Sequence, residues 1–407
     1  MIDSMFRRPT FPRYFIGQVS SQLAYQMLVV AVGWQIYDLT NSALALGIIG
    51  LVQFLPQFLL VLVAGHYADQ HDRKRIASVC MLIQGSMACV LAAGSWGGWI
   101  TTEIIYVCAF LLGAARTFQA PAMQSMLPAM VERSVFPKAI SYVTAARNFS
   151  QIAGPALGGG IYLFGAGAVY AVSTAFYVLA SLMLATIFLA HNKSGKEPAT
   201  LKSVFAGITY IRSKREILGA IAMDLFAVML GGVTALLPIY ARDILHTGPE
   251  GLGLLRAAPA AGALVMTAFL VRMPLKHRVG RAMYAGVTVF GLATILFALS
   301  HSLVLSIAAL MVLGAGDMIS VVIRASLIQL ETPDNMRGRV SAVNSIFLGT
   351  SSQLGQFWTG MVAALVGAVP AAVLGGVGTL VVVALWVRLF PELYNRDNLT
   401  GNAENSP

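Results

Sequence analysis

Charged residues are scarce in this chain: Asp, Glu, Lys and Arg make up only 11% of its 407 residues. Soluble domains carry about a quarter charged residues, so the composition argues against a soluble fold. Hydrophobic residues reach 57%, and mean hydropathy is +0.75. Apolar runs of about 20 residues, long enough to cross a bilayer as helices, recur along the whole chain. The sequence therefore predicts an all-α integral membrane protein.

Residues for catalysis or metal binding are also few. The three cysteines, Cys80, Cys89 and Cys108, show no metal-ligand spacing, and the six histidines form no H-E-x-x-H pair. A phosphate-binding G-x-x-x-x-G-K-S/T loop is missing, which removes support for direct coupling to ATP. No constellation of a nucleophile and a base lies in the apolar runs. We expect no metal, no cofactor and no enzymatic activity.

The formal net charge of +10 would favour a nucleic-acid partner in a soluble chain. Here the cations lie in short loops between apolar runs, which indicates contact with membrane lipid and no nucleic acid. All but five of the 27 Lys and Arg residues fall in loops on the side that holds both chain ends. By the positive-inside rule, both termini are predicted to be cytoplasmic.

Twelve apolar segments can be counted, an even number that agrees with both termini on one side. Each is long enough, or nearly so, to span roughly 30 Å of hydrocarbon at about 1.5 Å per residue. Their approximate spans are 15–37, 44–65, 76–95, 102–126, 139–162, 166–190, 216–240, 250–271, 282–300, 302–327, 341–365 and 368–390.

The sequence contains an internal repeat of about half its length. "FLLGAAR" at 110–116 recurs as "MVLGAGD" at 311–317, and Gly154 and Gly159 map onto Gly355 and Gly360 at the same offset. Two six-helix bundles explain this repeat, an arrangement that is common in transporters. The predicted organisation is an N-terminal bundle at 1–190, a cytoplasmic linker at 191–215, a C-terminal bundle at 216–392 and a cytoplasmic tail at 393–407.

The linker contains an amphipathic pattern, with apolar residues at helical spacing: Leu201, Val204, Phe205, Ile208 and Ile211. This pattern favours a helix in the cytoplasmic interface, with a plain solvated linker as the alternative.

The loop "GHYADQHDRKR" resembles the signature between the second and third spans of the major facilitator superfamily. Gly65, Asp69, Arg73 and Lys74 match it, whereas Gln70 and Asp72 replace a basic residue and a glycine. The resemblance implies that Asp69 lies near a helix N-terminus and that the loop is a conformational latch between the halves. Arg337 and Arg339 are the second-half members of that predicted latch. A simple topology anchor is the alternative.

Two further motifs carry the same resemblance. "ARTFQAP" keeps an Arg-x-x-Gln pattern as Arg116 and Gln119, and "AGPALGGG" resembles the superfamily's antiporter motif. The antiporter motif comprises Gly154, Pro155, Gly158 and Gly159. It favours export, although close helix packing explains the same glycines. Stretches of the second half, such as "GLLRAAPAAGAL", are similar to the branch that contains the enterobactin exporter. This resemblance implies a location in the inner membrane of a bacterium.

Charges inside the apolar segments are the sharpest functional signal, because each costs about 2.5–3.5 kcal/mol near the bilayer centre on insertion scales. They are Arg116, Arg147, Asp224, Arg256, Asp317 and Arg324. Asp224 is the first candidate for proton coupling and Asp317 the second. Structural ion pairs are the alternative, with Arg324 neutralising Asp317. In the resembled fold, Arg116, Asp224 and Asp317 converge on a central cavity.

Polar side chains recur at helical spacing in several segments, which favours a wet cavity over isolated interhelical hydrogen bonds. The predicted cavity and substrate residues are Gln18, Gln22, Tyr25, Gln26, Gln57, Arg116, Gln119, Arg147, Asn148, Gln151, Arg324, Asn344 and Gln353.

The function that these patterns predict is proton-coupled export of a small amphiphilic or anionic molecule, siderophore-like by resemblance, by alternating access. The expected partners are a small-molecule substrate, protons and membrane lipid, with the protein acting as a monomer. The alternatives are a multidrug exporter, a lysophospholipid flippase and a membrane sensor that does not transport.

Overall fold

The structure is a computed structural model, and it describes residues 9–132, 134–187 and 201–399. The regular elements of these ranges are all helical. Part of the predicted linker, 191–200, and the end of the predicted tail, 400–407, lie outside the described residues, as does the side chain of Asp69.

Six long helices form the first half of the chain. They are α1 (Thr10–Thr40), α2 (Ala43–Gln70), α3 (Arg73–Gly97), α4 (Thr102–Met130), α5 (Phe136–Tyr162) and α6 (Ala166–Ala185). Side-chain caps fix two starts: Asp72 accepts a hydrogen bond from the N–H of Lys74 at 3.0 Å, and Thr101 accepts one from Ile104. α3 ends at Gly98, whose φ of 70° is the left-handed conformation that glycine adopts readily.

The second half contains a short helix, six longer ones and a final helical turn. They are α7 (Leu201–Ser213), α8 (Arg215–Gly231), α9 (Pro249–Arg272), α10 (Val279–Ala298), α11 (Leu303–Glu331), α12 (Asp334–Val366), α13 (Ala368–Leu389) and α14 (Pro391–Tyr394). Between α8 and α9 the chain stays helical but irregular, through a 3₁₀ turn, one α turn and a π turn that ends at Ile244. Pro238 lies in this stretch and lacks the N–H that a regular helix needs.

Ten helical stretches of the described chain are long and apolar enough to cross a membrane, with α8 and its irregular continuation counted as one. The other two predicted spans are α5 and α12, which have 27 and 33 residues. At about 1.5 Å per residue both exceed roughly 30 Å of hydrocarbon, and both contain several amide and charged side chains.

The described residues divide into two compact units, each dominated by one half of the chain. The first unit holds the described residues of Met1–Asn41, Val52–Ala199 and Thr247–Ala257. The second unit holds those of Ser42–Leu51, Thr200–His246 and Ala258–Pro407. Each unit thus includes a short segment, the start of α2 or of α9, from the other half. The predicted boundaries at 190 and 216 stay a prediction.

In the first unit, α3 packs against α4 and α6, and α1 packs against α5 and α6. Tyr170 and Tyr177 of α6 are fully buried there. In the second unit, α10 packs against α11 and α13, while α8 packs against α12 and α13. Trp386 of α13 joins this helix to α8, because its indole N–H donates a hydrogen bond to the carbonyl oxygen of Gly219 at 3.1 Å. Both cores are formed mainly by apolar side chains between helices.

The linker helix α7 packs on α12 within the second unit. Gly207 allows the close approach, because a Cβ there would lie 2.9 Å from a methyl of Val343. Ile208 and Ile211 join an apolar cluster of this unit, whereas Phe205 is 64% exposed. The predicted amphipathic helix is therefore present, and part of its apolar face is covered by protein.

Glycines of the doubled motif are sites of helix contact in both units. In the first unit, a Cβ at Gly154 would lie 2.5 Å from the Cβ of Gln26 on α1. In the second, a Cβ at Gly355 would lie 3.0 Å from the Cα of Met229 on α8. The repeat offset of 201 residues thus places equivalent glycines against equivalent helices.

A second pair of equivalent glycines brings backbones still closer. A Cβ at Gly159 on α5 would overlap the carbonyl oxygen of Pro249 and lie 3.1 Å from the Cα of Gly253. A Cβ at Gly360 on α12 would lie 2.7 Å from the Cα of Gly47. We call these two contacts the glycine crossings. The packing explanation of the antiporter motif therefore applies to Gly159.

Candidate functional site

A buried acidic cluster connects α8 and α11 in the second unit. Asp224 and Arg324 are each 2% exposed, and Nη1 of Arg324 forms an ion pair with Oδ2 of Asp224. The hydroxyl of Ser320 donates a hydrogen bond to Oδ1 of Asp224 at 3.0 Å. The spacing of these residues along α11 places Ser320 and Arg324 on one face, one turn apart.

The partner of Arg324 differs from the one considered from sequence. Because Asp317, Ser320 and Arg324 share a face of α11, the sequence suggested that Arg324 neutralises Asp317. The ion pair instead reaches across to Asp224 on α8, since packing of the two helices brings it nearer. Arg324 was also predicted to line a cavity; it is 2% exposed in this pair, and the cavity assignment stays a prediction.

Asp317 completes the acidic cluster. It is half-buried and interacts electrostatically with Asp224 and with Arg324. The Ser320 hydroxyl also lies 2.9 Å from the Asp317 carbonyl oxygen, so its single proton can serve only one of the two acceptors at a time. Two carboxylates thus share one guanidinium, and the cluster has one excess negative charge when both are ionised.

A basic cluster of different composition lies between α1 and α4 in the first unit. The guanidinium carbon of Arg116 lies 3.5 Å from the centre of the Tyr25 ring, a close cation–π contact. Nη2 of Arg116 also donates a long hydrogen bond, 3.5 Å, to Oε1 of Gln22. Among the described residues, no carboxylate pairs with Arg116.

Two more residues extend this cluster around Tyr25. Arg256 of α9, in the first unit, interacts electrostatically with Tyr25, and no described residue accepts a hydrogen bond from its Nε. Tyr177 of α6 is fully buried and interacts electrostatically with Arg116 and Tyr25. We call the set Gln22, Tyr25, Arg116, Tyr177 and Arg256 the Tyr25 cluster. Tyr177 was missed from sequence because a single tyrosine in an apolar run carries no spacing signal.

Gln119, a predicted cavity residue, belongs to a buried amide network. It is 9% exposed and accepts a hydrogen bond from Nε2 of Gln84 at 2.6 Å. Nε2 of Gln119 in turn donates to the hydroxyl of Ser21 at 3.5 Å. These bonds join α1, α3 and α4 within the first unit, and the cavity role of Gln119 stays a prediction. Gln84 had no partner at helical spacing in the sequence and was missed.

The remaining predicted cavity residues differ in exposure. Arg147 and Gln57 are exposed; half-buried are Gln18, Gln22, Gln26, Asn148, Gln151, Asn344 and Gln353. The amide oxygens of Asn344 and Gln353 are buried, and no described group donates a hydrogen bond to either. These two α12 residues therefore offer acceptors that the described protein leaves unsatisfied. Whether the set lines a substrate cavity stays a prediction.

The loop between α2 and α3 departs in one respect from the resemblance. Asp69 falls in the last turn of α2, and Asp72 is the residue that caps α3. Asp72, which stands where the motif has a glycine, is therefore the N-cap of α3. Nη1 of Arg73 donates to the carbonyl oxygen of Ser125 at 3.2 Å, which ties the loop to α4 within the first unit.

The predicted latch residues of the second half have nearby partners. Arg337 forms an ion pair with Asp334 at 2.7 Å, one helical turn away. Nη1 of Arg339 lies 3.6 Å from Sδ of Met336. The predicted latch, which also includes Lys74 and Gly65, stays a prediction.

Comparisons with known proteins agree with this architecture. The sequence pattern of the Major Facilitator Superfamily matches residues 14–356. Two solved structures with the same fold are a bacterial homologue of the human lysosomal transporter Spinster and a bacterial homologue of the iron transporter ferroportin. Their TM-scores are 0.75 and 0.69, at 13% and 16% identity, and they cover 94% and 95% of this chain and 97% and 99% of their own.

Two relatives are exporters by name. An enterobactin exporter of Citrobacter koseri is 26% identical over 95% of this chain and 92% of its own length. Macrolide efflux protein A of Streptococcus pyogenes is 22% identical over 63% of this chain, and the match spans only 64% of that protein's length.

The chain belongs to the Major Facilitator Superfamily, since the family pattern covers most of its length. It is a multi-pass membrane transporter, and the predicted all-α fold with twelve transmembrane helices is confirmed.

Proposed function

We propose that this protein is a proton-coupled exporter of a small anionic amphiphile, and that the Tyr25 cluster binds the anionic group. One observation carries the proposal: Arg116 and Arg256 lie near the same tyrosine, with no described carboxylate paired to either. Two uncompensated guanidiniums within a membrane are costly unless an anion completes the site. A fork of N–H donors also suits carboxylate and catecholate oxygens.

The acidic cluster supports the coupling half of the proposal. Asp224, Asp317 and Arg324 have one excess negative charge when ionised, and a single proton removes it. Asp224 is held by Arg324 and Ser320, whereas Asp317 has no cation of its own. We therefore infer that the proton resides on Asp317, with Asp224 as the residue that shares Arg324 with it. This reverses the order in which the sequence alone placed the two aspartates.

A siderophore-like substrate is proposed from the likeness to the enterobactin exporter, which extends over nearly the full length of both chains. A bacterial inner membrane with both termini in the cytoplasm, a monomeric state and alternating access belong to the same proposal. Export of neutral or cationic drugs is the second candidate, favoured by the likeness to the macrolide efflux protein. The positive charge of the Tyr25 cluster argues against cationic drugs.

Inside-out vesicles that contain the pure protein test the proposal. Uptake of a labelled catecholate siderophore and of a lipophilic cation would be followed with and without an inside-acid pH gradient. We expect gradient-dependent uptake of the siderophore alone. Uptake of only the cation would establish the drug exporter instead. If neither compound moves under any gradient, export is wrong, and the lipid-flippase and sensor alternatives come first.

Two variants separate binding from coupling in the same assay. Arg116→Gln removes a guanidinium and is expected to weaken siderophore uptake roughly tenfold to hundredfold, the value of a charged hydrogen bond.

Asp317→Asn mimics the protonated carboxyl and is expected to abolish the response to the pH gradient, while exchange of labelled for unlabelled siderophore continues. An unchanged gradient response in Asp317→Asn would assign coupling elsewhere.

A further inference from the structure

A small basic cavity opens in the second unit, near the end of the described chain. Its volume is about 200 Å³, below the roughly 300–1,000 Å³ of typical small-molecule pockets. The lining residues come from the start of α10 and from the segment that follows α14: Arg278, Arg281, Tyr394, Asn395, Arg396 and Asp397. The cavity lies at the ends of transmembrane helices, where membrane proteins meet lipid headgroups.

The tail segment that forms one wall is held firmly in place. The backbone N–H groups of Val279 and Gly280 donate to the carbonyl oxygens of Asp397 and Arg396 at 3.1 and 3.0 Å. Leu393 is fully buried in the apolar core of the unit. The cavity is therefore preformed, because both of its walls are fixed by backbone bonds and packing.

Arg396 is a structural cation of this wall. It is 9% exposed and pairs with Glu216 at the start of α8 and with Glu331 at the end of α11. Its Nε also donates to the carbonyl oxygen of Asn398 at 2.9 Å. Two carboxylates compensate its charge, so Arg396 shapes the site and leaves ligand binding to other cations.

Arg278 and Arg281 are the cations free to bind. Both are exposed; Arg278 interacts electrostatically with Asp397, and among the described residues no carboxylate forms a salt bridge with either guanidinium. Arg281 lies over the Tyr394 ring, 5.6 Å from its centre. The one carboxylate in the wall, Asp397, is already engaged: it accepts a hydrogen bond from the N–H of Arg278 at 2.9 Å and pairs with His277 at 3.1 Å.

We propose that this cavity binds the phosphate of an anionic phospholipid headgroup. Two guanidinium forks over a small cavity match phosphate oxygens, which arginine binds in a bidentate manner. Arg272 and Lys276 add positive charge on the same loop, and clusters of this kind beside a membrane attract anionic lipid. The inference goes beyond the transport function and is independent of the transported substrate.

Native mass spectrometry of the detergent-solubilised full chain tests the site. Phosphatidylglycerol or cardiolipin would be titrated against phosphatidylcholine. The test variant combines Arg278→Asn with Arg281→Gln; asparagine tolerates the φ of 55° at position 278. The control combines Arg212→Gln with Arg388→Gln, which removes the same charge from exposed positions outside the cavity.

The test variant is expected to bind anionic lipid roughly 30-fold more weakly, since each near-surface cation contributes about fivefold. The control and phosphatidylcholine binding are expected to change little. The variant Arg278→Lys with Arg281→Lys keeps both charges but lacks the paired N–H donors of the guanidinium groups. An intermediate loss of affinity for anionic lipid is therefore expected. Equal losses in test and control would overturn the site. Displacement of the lipid by millimolar inorganic phosphate, with tight phosphate binding in lipid-free protein, would overturn the headgroup assignment.

Discussion

The two halves of this transporter bury charge in opposite ways. Arg116 in the first half and Asp317 in the second lie 201 residues apart, at equivalent positions of the repeat. Around Arg116 the structure places an aromatic ring and an amide, whereas the acidic cluster around Asp317 contains an ion pair. The repeat has therefore kept the position of a buried charge while inverting its sign and its means of compensation.

This difference indicates separate tasks for the two clusters. The guanidinium of Arg116, stacked on Tyr25, donates one long hydrogen bond to Gln22, and under the proposed function its other N–H groups bind the anion. The guanidinium of Arg324 is already paired with Asp224. The acidic cluster has one excess negative charge when ionised, and a proton, not an anionic ligand, neutralises it. We therefore expect mutations in the first half to change substrate binding and mutations in the second half to change stability and coupling.

The largest expected effect is the loss of Arg324. Arg324→Gln leaves the buried carboxylate of Asp224 and the half-buried one of Asp317 without a cation, and breaking a buried pair costs about 3–5 kcal/mol. Arg116→Gln, at a cation with no carboxylate partner among the described residues, should cost far less. Thermal unfolding of the purified proteins measures both. Addition of Asp224→Asn to Arg324→Gln should restore much of the stability; equal melting temperatures for the two single variants would contradict the comparison.

The glycine crossings should behave alike in both halves. Gly159→Ala and Gly360→Ala place a methyl against backbone atoms that cannot rotate away, and overpacking of this kind costs about 1–3 kcal/mol. Gly160→Ala and Gly338→Ala are matched controls, since a Cβ there meets no atom within 4 Å. The controls should be neutral or slightly stabilised, because alanine favours a helix.

Thermal unfolding again supplies the measurement for the crossings. A destabilised Gly159→Ala beside an unaffected Gly360→Ala would show that only one half depends on its close contact. That result would break the equivalence of the two crossings and would contradict the close backbone contact at Gly360.

A smaller stability effect is expected in the amide network behind the Tyr25 cluster. Gln84→Leu removes the donor to Gln119 and leaves the buried amide oxygen of Gln119 unsatisfied. This change is expected to lower the free energy of unfolding by about 1–3 kcal/mol. Siderophore uptake by the folded variant should change little, because Gln84 does not belong to the Tyr25 cluster. A selective loss of uptake at unchanged melting temperature would assign this network a role in binding.

Much of the fold could be predicted from sequence, because apolar runs and repeated glycines are local signals. Positions of single charges could be predicted as well, since a charge within an apolar run stands out. Their partners could not, because partners lie on other helices: Arg324 was related to Asp317 by helical spacing, and tertiary packing joins it to Asp224. Gln84 and Tyr177 illustrate the same limit, as buried polar residues with no periodic companion.

The smallest effect on stability is expected at Asp397, whose carboxylate is exposed, whereas that of Asp224 is buried. Hydrogen bonds from His277 and from the N–H of Arg278 lower the pKa of Asp397 below its usual 3.8. Because the pKa is lowered in the folded state, the carboxylate stabilises the fold fully above about pH 3.8, the ordinary pKa. This stabilisation is lost as the pH falls through the lower pKa of the folded state. Asp397→Asn should therefore show its whole cost at pH 7, which is small because the carboxylate is exposed, and no cost in strong acid, so that the acid limb of the stability profile becomes flatter. Hydrogen exchange at the N–H of Arg278 reports this contact directly, and unchanged exchange in the variant would show that the carboxylate does not hold the tail.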